Sequence, residues 1–306
     1  MPREAKRARG KEAKEITLAI VGAGRLGSAF ALALAARGYR VSAVVTRRKQ
    51  HARRVAQLFP SPRPLALGAR ELTQLPPTDL LLISTPDDQI AATAAQLARR
   101  DHTQSGARVA LHTSGALSSD ALAELRAAGC AVGSLHPLVS VSDARTGAES
   151  LRHAFFCVEG DTSAVRAARQ IVRALDGHSF SIKPADKALY HAAAVLAAGH
   201  TVALFDLAAE LLARCGVSAR AARRALLPLT ESTLNNLLAA RAPAHALTGP
   251  FARGDAATIR KNLAALTADP AARRIYALLG AHALRLARQK GVPAAALKEI
   301  EAALKQ

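Results

Sequence analysis

The feature of this sequence that most constrains its fold is an apolar run that ends in a glycine-rich turn. Residues 16–21, ITLAIV, are rich in β-branched and apolar side chains, as expected of a strand that is buried on both faces. Gly22, Gly24 and Gly27 follow at once with the spacing G-x-G-x-x-G, and a helical pattern then runs to Gly38. In this strand–turn–helix context the spacing predicts a turn that holds the pyrophosphate of a dinucleotide. The alternative is that the glycines serve the turn alone.

Each glycine has a separate role in such a turn. Gly22 permits the tight bend, Gly24 lets the backbone approach a pyrophosphate, and Gly27 allows the helix to pack closely on the strand. Arg25, Leu26 and Gly27 open the helix, and free N–H groups at a helix N-terminus attract phosphate.

A cluster of cations follows the second predicted strand. An NAD site usually places a carboxylate here, about 20 residues beyond the glycines, on the 2′-hydroxyl of the ribose. This chain has Thr46, Arg47 and Arg48 instead. A hydroxyl beside guanidinium groups suits a phosphate, so we expect NADP in preference to NAD. The alternative is that these are ordinary solvated surface cations.

The first half of the chain alternates strand patterns with helix patterns, and the second half has helix patterns only. This alternation predicts an α/β domain with a mainly parallel sheet and helices on both faces, followed by an all-α domain. Helices are predicted at 186–215, 218–240, 255–267, 270–290 and 293–304. The predicted organisation is a charged, disordered tail at 1–14, a cofactor domain at 15–182 and a helical substrate and dimerisation domain at 183–306.

Composition narrows the class of protein. The formal charge is +19, but the arginines are spread along the chain and aromatic residues are only 3%, which argues against nucleic-acid binding as the main function. The three cysteines, Cys130, Cys157 and Cys215, lie far apart, so we expect no metal site and no disulfide framework. The sequence shows neither a secretory signal nor some twenty uninterrupted apolar residues, so we expect a cytoplasmic protein without membrane attachment.

Polar clusters at the ends of three predicted strands are candidates for the chemical site. They contain Thr85-Pro86, which we expect to border the cofactor, Ser114, and His136. Ligands of open α/β sheets bind outside the carboxyl ends of the strands, so these residues are expected to converge on the nicotinamide. Polar residues at strand ends also serve as simple helix caps, which is the alternative for each cluster.

The first helix after the sheet carries further candidates. Lys187 and His191 are four residues apart and share a helix face, with Tyr190 nearby. Polar groups on an otherwise apolar face favour a position in a cleft, because desolvation is costly. The alternative is a helix that merely begins with polar residues.

Together these motifs resemble a known group of proteins. The first half looks like the cofactor domain of pyrroline-5-carboxylate reductases, prephenate dehydrogenases and deazaflavin-dependent NADP oxidoreductases. Across about residues 15 to 300, the segments HTSG, SLHPL, DKALYHAAAV and ALTGPFARGD resemble a bacterial family with a Rossmann-like domain and a helical C-terminal domain of unknown function. That helical domain is expected to be similar to the C-terminal domain of 6-phosphogluconate dehydrogenases.

The resemblance implies roles for four residues. Prephenate dehydrogenases use a histidine of a similar His-Pro pair to polarise a hydroxyl, which matches His136, and a nearby serine, which matches Ser114. Related β-hydroxyacid dehydrogenases carry a lysine similar to Lys187, and His191 is expected beside it. In such relatives the helical domain forms the dimer, so a homodimer is expected here.

These observations predict an NADP-dependent oxidoreductase. Hydride would pass between the nicotinamide and a small, anionic oxo/hydroxy or imino/amino substrate in the interdomain cleft. The alternative is a non-catalytic, NADP-binding sensor or scaffold dimer.

Overall fold

A computed structural model describes residues 15–99 and 108–305, so the predicted tail at 1–14 lies outside the described residues. The first compact unit contains an eight-stranded sheet in the order β3-β2-β1-β4-β5-β6-β7-β8. Its strands are β1 Thr17–Val21, β2 Arg40–Thr46, β3 Leu65–Gly68, β4 Leu80–Ile83, β5 Val109–His112, β6 Ala131–Pro137, β7 Phe155–Gly160 and β8 His178–Phe180.

The sheet is parallel except at one junction. β6 and β7 pair antiparallel, whereas every other neighbouring pair runs parallel. The prediction of a mainly parallel sheet is therefore confirmed. The short strand β3 was not predicted, because its four residues, LALG, lie among prolines and loop residues and show no clear alternation.

Helices cover both faces of the sheet, which explains the continuous apolar strands. In β1, Leu18 and Ile20 join one buried cluster with Phe30, whereas Ala19 and Val21 join a second cluster on the opposite face. The helices of this unit are α1 Arg25–Ala35, α2 Lys49–Ala56, α3 Asp87–Ala98, α4 Ala123–Ala127, α5 Ala144–Ser150, α6 Thr162–Ala174 and α7 Lys187–Ala197.

The long helix predicted at 186–215 is two helices. α7 ends at Ala197; its C-cap, Ala198, has a ψ of −75° that departs from regular helix, and α8 begins at Gly199, a residue with poor helix propensity. The first compact unit extends to Ala198, so α7 packs with the sheet.

The second unit is all-helical, as expected. Its helices are α8 Gly199–Arg214, α9 Ala219–Ala239, α10 Pro243–Ala246, α11 Gly249–Arg253, α12 Ala256–Ala265, α13 Pro270–Gln289 and α14 Ala294–Leu304. α12, α13 and α14 share a core around Ile259, Leu284 and Ile300. The predicted start of α13 is confirmed: the Asp269 side chain accepts a hydrogen bond from the Ala272 N–H, and Pro270 follows as the first helical residue.

Two helices of the second unit bury almost nothing. α8 buries only Ala209 and α9 only Ala222, although both are rich in leucine. By length and composition alone, the stretch Pro184–Arg214 is apolar enough to cross a membrane, because an 18-residue window within it has a mean hydropathy of 1.6.

Candidate functional site

The glycine turn brings the backbone of three segments close together. Gly22 has φ of +96°, and a Cβ there would lie 2.5 Å from the backbone of Ser84 and Thr85. A Cβ on Gly27 would collide with the carbonyl oxygen of Gly22. A Cβ on Gly24 would meet nothing within 4 Å. Position 24 therefore keeps the turn open toward a ligand, while positions 22 and 27 need glycine for packing.

The N-terminus of α1 is suited to an anion. Gly24 is the N-cap and supplies no side-chain hydrogen bond, and the first turn holds no acidic residue. Within the described part of the chain, the first N–H groups of this helix thus lack a side-chain cap, and the positive end of the helix dipole lies at the glycine turn. Phosphate is the ligand that such helix ends favour.

A cleft of about 540 Å³ opens at this turn, a size suited to small-molecule ligands. Its lining comes from the carboxyl ends of β1, β2 and β4 and from one face of α3. The lining residues are Val21, Gly22, Ala23, Gly24, Val45, Thr46, Arg47, His51, Ala69, Leu72, Ser84, Thr85, Pro86, Gln89, Ala92, Thr93 and Gln96. The hydroxyl oxygen of Thr85 is buried and has no hydrogen-bond partner among the described residues.

A second, basic pocket of about 420 Å³ adjoins the cleft at the end of β2. The two cavities share Thr46, Arg47 and His51. Arg48, Gln50 and Arg54 complete the basic pocket. Its cations come from consecutive loop residues and from the face of α2 that carries positions 51 and 54.

The loop that carries these cations is held by local contacts. The Thr46 hydroxyl donates to the Arg48 carbonyl at 2.7 Å, so its proton is already used within the loop. Lys49 donates to Glu71 at 2.5 Å, and this carboxylate also accepts from the Gly68 N–H at 2.8 Å. Both hydrogen bonds lower the pKa of Glu71, and the one from Lys49 has the larger effect. The charge of Lys49 is therefore paired with that of Glu71, whereas Arg47 and Arg48 lie in the pocket.

His112 and Ser114 hold the turn after β5. The His112 ring is fully buried, with Nε2 3.0 Å from the Ser118 carbonyl, and Nδ1 accepts the Ser114 N–H at 3.2 Å. Burial lowers the pKa of His112 to about 4. The Ser114 hydroxyl donates to Asp87 at 2.8 Å and accepts from the N–H groups of Ala116 and Leu117. The Ser114 hydroxyl is thus fully used in shaping this turn.

Lys187 is only 1% exposed, although it begins a helix. Its ammonium donates to the Ser134 hydroxyl at 2.8 Å and to the Ser114 carbonyl at 3.1 Å. Burial lowers its pKa, and the nearby Cys157 and Glu159 oppose that shift. The structure therefore places Lys187 beneath the site, where it joins β5, β6 and α7.

His136 lies at the end of β6, next to Tyr190 of α7. The Tyr190 hydroxyl is 2.6 Å from Nδ1 of His136, and the two rings meet edge to face at 5.5 Å. Burial, and then the charge of Lys187, lower the pKa of His136 to about 3. The ring is consequently neutral at pH 7.

His191 completes the cluster from α7. Its ring lies 5.8 Å from that of His136, and its buried Nδ1 has no hydrogen-bond partner among the described residues. Gly115 lies against both rings: a Cβ there would clash with Nδ1 of His191 and lie 2.8 Å from Nε2 of His136. Only glycine therefore fits between the two rings at this point.

The structure thus brings all four candidate chemical residues, Ser114, His136, Lys187 and His191, into one cluster. Of the candidate cofactor residues, Gly22, Gly24, Thr46, Arg47, Thr85 and Pro86 line the cleft, Arg48 lines the basic pocket, and Arg25, Leu26 and Gly27 form the first turn of α1. The sequence interpretation missed His51 and Arg54, whose spacing of three on α2 was the available signal, and gave no role to Tyr190 or Ser134.

Comparison with known families divides the chain in two. Residues 3–137 match a Rossmann-like domain, and residues 154–283 match a family described as a domain of unknown function, DUF2520. A search of curated proteins finds no match.

Solved structures show the same fold over most of the chain. A protein from Bacteroides fragilis described as an NADP oxidoreductase is 24% identical, with a TM-score of 0.68 over 90% of this chain and 98% of its own. A protein from Thermotoga maritima is 22% identical, with a TM-score of 0.70 over 89% and 99%. A reductive aminase from Aspergillus terreus, solved with NADPH and ethyl levulinate, is 16% identical, with a TM-score of 0.56 over 95% and 93%.

The resemblance inferred from the sequence motifs is confirmed at the level of fold. Structures of a pyrroline-5-carboxylate reductase and a prephenate dehydrogenase also match. The chain therefore combines a Rossmann-like domain with a DUF2520 domain, and its fold is the one that these oxidoreductases share.

Proposed function

We propose that this protein is an NADP-dependent oxidoreductase that acts on a small, anionic oxo/hydroxy or imino/amino substrate. The observation that carries the proposal is the basic pocket, which opens beside the cleft at the glycine turn. A dinucleotide whose pyrophosphate lies at the N-terminus of α1 places its adenosine ribose at the end of β2. Two proteins of this fold were solved with NADPH or NADP bound, which agrees with this assignment.

The residues in the basic pocket suit a 2′-phosphate better than a 2′-hydroxyl. Arg47, Arg48 and Arg54 offer planar groups of N–H donors, and no carboxylate lines the pocket as described. Glu71, which follows β3, is paired with Lys49. An NAD site would need a carboxylate that accepts from the ribose hydroxyls, and this position has none.

The polar cluster at the ends of β5 and β6 is the proposed chemical site. When bound, the cofactor supplies or accepts a hydride at this edge of the sheet. His136 and His191 present imidazole nitrogens beside Gly115, while Lys187 supplies positive charge from below. An anionic substrate gains from that charge, because its field is little screened in a buried site.

The candidate residues of the chemical site differ in whether their polar groups are already used in internal hydrogen bonds. Lys187 and the Ser114 hydroxyl are used in internal hydrogen bonds, so we propose that they shape the site and that His136 and His191 contact substrate. The burial of Lys187 is the one observation that favours the alternative, a non-catalytic NADP sensor. Binding of NADPH without turnover on any oxo or imino acid would support that alternative.

We propose further that the protein is a cytoplasmic homodimer formed through its helical unit. Leu227, Leu234 and Leu238 recur at helical spacing on α9 and are exposed, as are Val202 on α8 and Leu278 on α13. Helices of this length derive most of their stability from packing of an apolar face. A second copy of the chain offers the same apolar face, which makes a symmetric contact the simplest partner.

The test is a comparison of NADPH and NADH affinities in the arginine variants. For R47A combined with R48A, we expect the Kd for NADPH to rise by at least tenfold, since hydrogen bonds to charged groups contribute about 1.5–3 kcal/mol each. The Kd for NADH should change little. R53A is the matched control, because Arg53 lies next to Arg54 on α2 but does not line the pocket.

Tighter binding of NADH than of NADPH by the unmodified protein would overturn the cofactor assignment. An equal loss of NADPH affinity in R53A and in the pocket variants would show that overall charge, and not the pocket, attracts the cofactor.

A further inference from the structure

The hydroxyl of Tyr190 connects one helix to two strands beside the proposed chemical site. It lies 2.6 Å from Nδ1 of His136, and it is close enough to the Cys157 thiol for each group to shift the pKa of the other. His136 and Cys157 are direct partners across the antiparallel pair β6 and β7. The hydroxyl therefore lies between two side chains whose positions are fixed by the sheet.

The chemistry of these three groups decides where the protons lie. An imidazole nitrogen is a much better acceptor than a thiol sulfur. Burial raises the pKa of Tyr190, so the phenol keeps its proton, and burial lowers the pKa of His136, so its ring carries a single N–H. The phenol accordingly donates to Nδ1, and the ring proton of His136 resides on Nε2.

The opposite edge of the ring faces Gly115. The Nε2 atom would lie 2.8 Å from a Cβ at that position, so the absence of a side chain keeps this nitrogen accessible. His136 is also only partly buried, unlike Lys187 and His112. Its Nε2–H is the accessible donor of the cluster.

We propose that Tyr190 is a positioning residue that fixes His136 as the neutral Nε2–H tautomer, so that His136 acts as a hydrogen-bond donor to a carbonyl or alkoxide oxygen of the substrate. The proposal rests on the proposed function and narrows its substrate class. A protonated imine has no free lone pair and cannot accept from this N–H, so an oxo acid fits the site and an iminium ion does not.

Each proton that moves in the proposed step has a donor and an acceptor. As negative charge forms on the substrate oxygen, the Nε2–H bond breaks and an O–H bond forms, while Nδ1 takes the phenolic proton of Tyr190. His136 remains neutral in its other tautomer, and the charge resides on the phenolate, with the ammonium of Lys187 5.6 Å from the ring centre. The site is restored when Nδ1 returns that proton to the phenolate and Nε2 takes a proton from a water molecule, which leaves to the solvent as hydroxide and carries the negative charge with it.

The test is the tautomer of His136 in the full chain, measured by NMR of protein labelled with 15N-histidine. H136N identifies the His136 signals among the ten histidines of the chain. We expect the unmodified protein to carry its proton on Nε2 at pH 7 and Y190F to lose this single tautomer. Y276F is the matched control, because it removes a tyrosine hydroxyl that bonds Asn262 in the second unit.

A proton on Nδ1 in the unmodified protein would overturn the proposal, and this result does not depend on the folding of any variant. So would an unchanged tautomer in Y190F that binds NADPH normally. Turnover with NADPH tests the substrate class separately: reduction of 2-oxo acids such as pyruvate supports it, and reduction of 1-pyrroline alone contradicts it. If neither is reduced while the Nε2–H tautomer is observed, the proposed function fails and the assignment of the tautomer stands.

Discussion

Acidification should destabilise this protein through His112. The ring is fully buried, and its two nitrogens satisfy the Ser118 carbonyl and the Ser114 N–H only when it is neutral. A second ring proton would place an N–H of Nδ1 against the N–H of Ser114. Burial is the main cause that holds the folded pKa of His112 at about 4, although the hydrogen bond to the Ser118 carbonyl opposes it.

The sign and size of the effect follow from proton binding. In the unfolded chain a histidine titrates near 6.5, so between pH 6.5 and 4 the unfolded state binds a proton that the folded state does not. The free energy of unfolding must therefore fall as pH falls through this window, by about 1.4 kcal/mol per pH unit and about 3 kcal/mol in total for this residue. That loss is a large part of a typical stability of roughly 5–15 kcal/mol.

The assay is urea unfolding at several pH values between 7.5 and 4.5, at one protein concentration. The slope against pH in the unmodified protein includes His136, whose pKa falls to about 3 for the same reason. H112N should lower the free energy of unfolding at neutral pH. It should also make this free energy less dependent on pH, by the equivalent of about one proton taken up on unfolding. H282N, which changes an exposed histidine of α13, should leave the slope unchanged. If the free energy of unfolding fell with pH by the same slope in H112N as in the unmodified protein, the reasoning would be refuted.

Three further predictions concern the cofactor turn, the chemical site and the helical unit. G24V should raise the Kd for NADPH by at least tenfold without a change in thermal stability, because its side chain enters open space at the turn; isothermal titration and thermal melts check both parts. G115A should lower the free energy of unfolding by about 1–3 kcal/mol, as overpacking does, because its Cβ collides with His191; urea unfolding measures it, and an unchanged midpoint would contradict the collision. L227D combined with L238D should give monomers in sedimentation experiments without detergent, whereas R220A, an exposed change on the same helix, should not; an unmodified protein that sediments as a monomer would exclude the dimer.

Local patterns were enough to predict most of the fold. β4 is apolar at every position, and β1 at every position after Thr17, because helices cover both faces, and this pattern can be read directly from the residues. The break between α7 and α8 was missed because an alanine-rich sequence favours helix on either side of Gly199. The antiparallel direction of β7 depends on the path of the loop that contains α5, and local periodicity carries no information about it.

The site was predictable in its members but not in their contacts. Strand ends and an i, i+4 pair placed His136, Lys187 and His191 at one edge of the sheet. Whether a side chain faces solvent or is buried depends on distant residues. Lys187 can be buried because its ammonium donates a hydrogen bond to Ser134 on β6. The spacing of residues within α7 cannot predict that contact.

The exposed apolar side chains of α8 and α9 affect every measurement of the stability of this protein. If these helices complete their packing only against a second copy, folding and association form a single equilibrium. Unfolding midpoints will then rise with protein concentration, and dilution alone will act as a denaturant.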